Sequence, residues 1–246
     1  MNPKITIVTI SYNCSNSIER TISSVINQNY DNIEYVVIDG ASTDDTINRI
    51  KKFETFIDVF ISEPDKGISD AFNKGIKKSS GDLIMFLNAG DYLISEDSLE
   101  QVAGEWAEER PDVIFYNVCR GNDLFISAKN TYNDIDRIWR QGQIPHQGAF
   151  TRREVFERIG YFDTQYKIRM DFDFWMRCVK RNLSYKFVPR VISDYEIGGT
   201  SMQVNNAKKF YKEGFEIRKK YGMKIPVKEI VYYLVPNWIR KINKGR

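Results

Sequence analysis

From Ile5 to Leu87 the chain alternates short β-branched apolar runs with stretches whose apolar residues recur every three or four positions. That alternation constrains the fold more than any other feature. Ile5-Thr6-Ile7-Val8-Thr9-Ile10 is apolar on both faces, as a strand covered on both sides must be. Ser15 or Ser17 can then cap a helix in which Ile18, Ile22, Val25 and Ile26 share one face. The same pattern predicts strands at Ile33 to Ile38, Phe56 to Ile61 and Asp82 to Leu87, and helices at Asp44 to Phe53 and Ile68 to Lys78. Parallel neighbours need a crossover between them, so the expected fold is α/β, a Rossmann-type, mainly parallel sheet flanked by helices.

In such sheets ligands sit outside the carboxyl ends of the strands. Asp39 and the string Asn88-Ala89-Gly90-Asp91 both follow strands and should face one crevice. Further on, the pattern predicts a helix at Leu99 to Glu109 and a strand at Val113 to Val118, then loosens through Gly121 to Asn133. It tightens again at Phe150. Asp171 to Arg181 reads as a helix with Phe174, Trp175 and Cys178 inward, Ser184 to Val188 as a strand and Ala207 to Tyr221 as a helix. Val227 to Lys244 is amphipathic and broken at Pro236. The expected organisation is one domain over 1–205 with a helical extension over 206–246.

The remaining composition mostly excludes. A net charge of +3 over 246 residues is too mild for a nucleic-acid partner. Cys14, Cys119 and Cys178 are odd in number and in no metal spacing, and with a single histidine a zinc site is not expected. Reduced thiols and the lack of a leader or a run of about 20 apolar residues lead us to expect a cytoplasmic protein, soluble or peripheral. The basic segment from Arg218 onward, with Val227, Ile230, Val231, Tyr232, Tyr233, Leu234, Trp238 and Ile239, suits a membrane interface through 225–246. It equally suits a helix closing the core or a dimer contact.

Neither G-x-x-x-x-G-K-[ST] nor a strand-following G-x-G-x-x-G occurs. A nucleotide would be held by strand-end side chains and a divalent cation, Mg²⁺ or Mn²⁺, for which Asp91 is best placed. The strings Thr9-Ile10-Ser11-Tyr12-Asn13, Val37 to Asp44, Ser62 to Ile76, Phe86 to Asp91, Pro145-His146-Gln147-Gly148, Gly160 to Asp163 and Gly198-Gly199-Thr200-Ser201 then stand in order. Each is weak alone. Together they make the chain resemble the family 2 glycosyltransferases of the GT-A fold, over roughly Lys4 to Ser201.

The resemblance implies an inverting enzyme moving a sugar from a nucleotide sugar, most commonly UDP-linked, to a hydroxyl of a glycan or lipid-linked acceptor in cell-surface polysaccharide synthesis. It places Thr9, Ser11 and Tyr12 around the base and ribose and has Asp39 hydrogen-bond the base. Asp65, Asn73, Asn88, Ala89 and Gly90 join the donor site by the same likeness, and His146, Gln147 and Trp175 fall on the acceptor side. Met170-Asp171-Phe172-Asp173 is similar to the family's Glu-Asp-x-Asp string, with Met170 in place of the Glu, and the likeness makes Asp171 the catalytic base and Asp173 structural. An aspartate among Met170, Phe172 and Trp175 is desolvated, which makes it the better proton acceptor.

Two departures stand out. The family's metal motif commonly carries two or three aspartates, and here only Asp91 remains, beside Asn88. Phe72 stands where relatives carry an arginine, so Lys66 and the Gly198-Gly199 backbone are the expected replacements at the diphosphate. The alternatives are a binding module that has lost catalysis and a sugar nucleotidyltransferase. The latter would need a Gly-rich basic loop after the first strand, and Thr9 to Ser15 has none.

Overall fold

The computed structural model describes residues 2–120, 144–196 and 206–234. The first half follows the alternation: β1 (Ile5–Ser11), α1 (Ile18–Ile26), β2 (Ile33–Asp39), α2 (Thr46–Lys51), β3 (Val59–Ser62), α3 (Ile68–Lys78) and β4 (Leu83–Phe86). Then come β5 (Tyr92–Leu93), α4 (Ser98–Glu109) and β6 (Val113–Arg120). After the undescribed 121–143 a 3-10 turn, His146–Gly148, leads into β7 (Ala149–Arg152) and α5 (Arg153–Ile159). The chain continues with α6 (Met170–Lys180), β8 (Tyr185–Tyr195), α7 (Ala207–Lys220) and α8 (Val227–Leu234).

One eight-stranded sheet has the order β3-β2-β1-β4-β7-β6-β8-β5. Its first four strands are parallel, with Ser11 beside Asp39 and Asp39 beside Ser62. The parallel rule stops there, because β7 runs antiparallel between β4 and β6, and β5 antiparallel to β8, while β6 and β8 are parallel.

The strand period of two sorts side chains into two cores. On one face Val8, Val36, Ile38, Ile84 and Phe86 pack against Phe72 and Ile76 of α3 and Phe172 and Phe174 of α6. On the other, Ile5, Ile7, Val37 and Met85 pack against Ile18, Ile22 and Val25 of α1 and Leu99 and Val102 of α4. Helix α3 lies so close to β1 that a methyl group on Gly75 would overlap Val8. The central strands β1, β2 and β4 are buried on both faces, which leaves their carboxyl ends as the place for polar chemistry.

Helix α7 is part of this body, since its Ile217 is fully buried in the α3–α6 core. The α8 helix leaves Val227, Val231 and Leu234 exposed at 75%, 54% and 69%. No helix among the described residues is long and apolar enough to cross a membrane.

Candidate functional site

Asp39 ends β2, is fully buried, and accepts four hydrogen bonds. Ser11 Oγ at 2.9 Å and Ser42 Oγ at 2.5 Å donate to Oδ1, and the Ser42 N–H and Ser62 Oγ, each at 2.8 Å, donate to Oδ2. Three strand ends are thereby tied at one carboxylate, whose acceptor positions are all occupied. Over it, Tyr12 is 64% exposed, and a methyl group on Gly40 would fall against the Tyr12 ring and the Asp65 carboxylate. Asp65 Oδ1 in turn accepts the Gly67 N–H at 2.7 Å. Lys66 is exposed beside this cluster.

The next strand end is a tight turn in which the Asp91 N–H returns to Asn88 O at 2.9 Å, and Gly90 supplies the positive φ, 101°, that the third residue of such a turn takes. Helix α1 pins it: Thr21 Oγ1 accepts the Gly90 N–H at 2.8 Å, and Arg20 donates to Gly90 O at 2.5 Å with its guanidinium over the Tyr92 ring. Asp91 is 5% exposed, and burial pushes its carboxyl up to about 7, although the Glu196 N–H, 3.0 Å from Oδ1, and the Gln147 side chain favour the charged form. Its Oδ2 and Asn88 Oδ1 are buried and, among the described residues, have no hydrogen-bond partner.

Buried oxygens without donors are costly unless something positive meets them. Unpartnered carboxylate and amide oxygens are the donor type that Mg²⁺ and Mn²⁺ prefer, and these ions need only one or two protein carboxylates beside phosphate oxygens. The residues present therefore fit a divalent cation.

The 3-10 turn at His146–Gly148 abuts this site. His146 Nε2 lies 3.0 Å from Asn88 Nδ2, its ring meets Phe72 edge-on, and burial holds its pKa down to about 4, so the neutral ring can accept from the amide. Gln147 O accepts Ser193 Oγ from β8 at 2.6 Å. Trp175 is buried in the core, and its indole N–H donates to Ile144 O at 2.9 Å, so α6 holds the segment that carries His146 and Gln147.

Asp171 lies in the first turn of α6, half-buried, where unpaired helix N–H groups favour a negative charge. Desolvation nevertheless dominates and raises its pKa, against the lowering effects of Arg169 and the Phe172 N–H at 2.7 Å. The approach to α6 is held from α7: the buried Glu213 accepts the N–H groups of Lys167, Ile168 and Arg169 at 3.0, 2.9 and 2.9 Å. Asp173, fully buried, accepts Arg177, Lys220 and Tyr221 and is structural.

Thus Ser11, Tyr12, Asp39, Asp65 and Lys66 gather at one end of the crevice, and Asn88, Ala89, Gly90, Asp91, His146 and Gln147 gather at the next strand end. Thr9 is fully buried and bonded to Tyr35 at 3.1 Å, both ends of the Asn73 amide clamp the Phe162 peptide, and Trp175, expected on the acceptor side, is buried in the core, so none of the three is brought to the crevice surface. Gly198 and Gly199 lie outside the described residues.

Comparison with known proteins decides the family, because the family model described as glycosyl transferase family 2 matches residues 6–176. The chain belongs to glycosyl transferase family 2. A PGL/p-HBAD biosynthesis glycosyltransferase of Mycobacterium tuberculosis is 28% identical over 99% of this glycosyltransferase and 94% of its own length. An uncharacterized glycosyltransferase of Haemophilus influenzae is 26% identical over 95% and 94%. Among solved structures, S. aureus TarS 1-349 in complex with UDP-GlcNAc superimposes with a TM-score of 0.72 at 18% identity, covering 94% of this chain and 70% of that one. Mannosyltransferase PcManGT from Pyrobaculum calidifontis, in complex with GDP-Man and Mn²⁺, gives 0.67 at 17% identity over 96% and 71%. These neighbours share the GT-A fold.

In this family 2 glycosyltransferase several residues escaped the sequence reading. Ser42 and Ser62 complete the Asp39 cage, Arg20 and Thr21 pin the Gly90 turn, Glu213 holds the loop before α6, and Glu196 reaches Asp91. Ser42 and Ser62 carry a local signal, as hydroxyls at the strand ends that flank the Asp39 acid. The others carry no local signal, because each acts on a residue far away in sequence.

Proposed function

We propose that this glycosyltransferase inverts the anomeric centre as it moves a sugar from a UDP-linked donor to a hydroxyl of a glycan or lipid-linked acceptor, in assembly of a cell-surface polysaccharide. The observation that carries the reading is the pair of oxygens without a described partner, Asn88 Oδ1 and Asp91 Oδ2, at the same carboxyl end of the parallel strands as the Asp39 cage. A nucleoside diphosphate spans such a pair of features, with its base at Asp39 and Tyr12 and its phosphates at the cation. A divalent ion held there would offset the charge growing on the leaving diphosphate. Lys66, exposed beside the Asp39 cluster, is assigned to the diphosphate on the side that faces the nucleoside, as a flexible point charge.

For Asp39 to accept the imide N–H of uracil, one serine must turn away. Ser62, on the exposed end of β3, is free to do so. The acceptor oxygen attacks the anomeric carbon from the face opposite the diphosphate, its proton passes to Asp171, and the C–O bond to the diphosphate breaks with its electron pair on the departing UDP. A raised pKa makes Asp171 the stronger base, as this transfer requires. His146 and Gln147 are assigned to the acceptor side, positioned through Trp175 and Ile144.

The parallel with the named mycobacterial relative, a PGL/p-HBAD biosynthesis glycosyltransferase matched along nearly its whole length, supports a biosynthetic sugar transfer. The exposed apolar residues of α8, with Lys224 and Lys228 alongside, support a peripheral membrane contact that would bring a lipid-linked acceptor near. Thermal stabilisation by a panel of nucleotide sugars with Mn²⁺ tests the donor. UDP-sugars should raise the midpoint as log concentration rises, and stabilisation by GDP- or CMP-sugars alone would overturn the assignment of Asp39 to uracil.

A further inference from the structure

The Asn88–Asp91 turn brings one carboxylate to the candidate cation site, and a second reaches it from the far edge of the sheet. Strands β5 and β8 pair antiparallel, with Tyr92 opposite Asp194 and Leu93 opposite Ser193. Carried back toward the turn, this register sets Glu196 opposite Gly90. The backbone obeys it: the Glu196 N–H donates to Asp91 Oδ1 at 3.0 Å. The side chain follows, lying over Gly90 so closely that a methyl group there would overlap the Glu196 carboxylate. Among the described residues that carboxylate has no hydrogen bond or ion pair.

We propose that Glu196 is the second carboxylate of the cation site, so that it, Asp91 Oδ2 and Asn88 Oδ1 together take a Mg²⁺ or Mn²⁺ ion. Two independent observations meet in it. One is the register and the Gly90 contact, which place at the turn an acid that no described residue pairs. The other is the nine-tenths-buried Asp91 oxygen that no donor reaches. Two neighbouring carboxylates repel unless a cation lies between them. Among the described residues Arg20 is the basic side chain that reaches this turn, and it is already engaged by Gly90 O and the Tyr92 ring. An all-oxygen donor set favours a hard ion over zinc or copper. The inference rests on the proposed glycosyl transfer for what the ion does, not for where it binds.

Titration of the full chain with Mn²⁺, followed by the paramagnetic resonance of the free ion, with and without UDP, tests it. Wild type should bind one Mn²⁺. Glu196→Gln should weaken that binding by about tenfold or more, as should Asp91→Asn, since affinity at such sites follows ligand charge. Melting of Glu196→Gln in EDTA should stay at the wild-type midpoint, because the side chain is solvent-facing. Gly90→Ala, which crowds the Glu196 carboxylate and strains the turn that carries Asn88 and Asp91, should also weaken Mn²⁺ binding, so Glu196→Gln is the variant that decides. A wild-type Mn²⁺ affinity in Glu196→Gln, or no binding by wild type with or without UDP, overturns the proposal. If Mn²⁺ binding depends on Glu196 but no nucleotide sugar is turned over, the site stands and the proposed reaction fails.

Discussion

Asp171 is the residue at which stability and function pull apart. Its folded pKa is raised above the unfolded value near 4, so the native state holds its proton over a window in which the unfolded chain has lost it. Stability therefore falls as pH rises through that window, and above it the ionised side chain is a net cost to the fold. Asp171→Asn should lower kcat by a factor of about 10² to 10⁴ while leaving the melting midpoint at pH 7 equal to or above wild type. A loss of both activity and midpoint would mark a structural residue instead. The acid limb of the kcat/KM profile should likewise lie above the usual carboxylate range, and a limb at pH 4 or below would count against Asp171 as the base. Asp39, Asp91 and Asp171 were legible in the sequence because each sits beside a local landmark, a strand end or a helix start. Glu196 was not, since its nearness to Gly90 comes from a two-residue antiparallel pairing that leaves no period in the sequence.

Among the elements, α7 carries more of the site than its place near the C-terminus suggests. Glu213 accepts three N–H groups of the loop entering α6, so Glu213→Ala leaves those donors without an acceptor in a buried setting. A destabilisation of roughly 2–4 kcal/mol in urea is expected, with Glu213→Gln recovering part of it. A change under about 0.5 kcal/mol would show that water replaces the carboxylate easily. The strands and helices from β1 to β4 were readable because each is buried on a face that its own period marks. Strand β7 and helix α5 were hidden: four and seven residues are too short for a period to show, and their direction is set by pairing with β4 and β6. The predicted Asp44–Phe53 helix stops at Lys51 and gives way to a 3-10 turn at Glu54–Phe56.

For the whole molecule, burial of β1, β2 and β4 on both faces leaves polar chemistry at their carboxyl ends, which is why the crevice is legible from the strand pattern alone. The exposed apolar side of α8 makes a separate claim. Co-sedimentation with vesicles containing anionic phospholipid should exceed that with neutral vesicles and fall with added salt, and Val231→Asp with Leu234→Asp should abolish it. Equal recovery in the supernatant with both vesicle types would remove the membrane contact. The central claim is that this glycosyltransferase uses Asp171 to deprotonate an acceptor while a nucleotide sugar sits at the Asp39–Asp91 crevice. The most direct test is UDP release from UDP-sugars, offered with a mixed panel of glycoside and lipid-linked acceptors and Mn²⁺, compared between wild type and Asp171→Asn at matched UDP affinity. Acceptor-dependent release by wild type that vanishes in the variant is the predicted result; equal release by both proteins would contradict it.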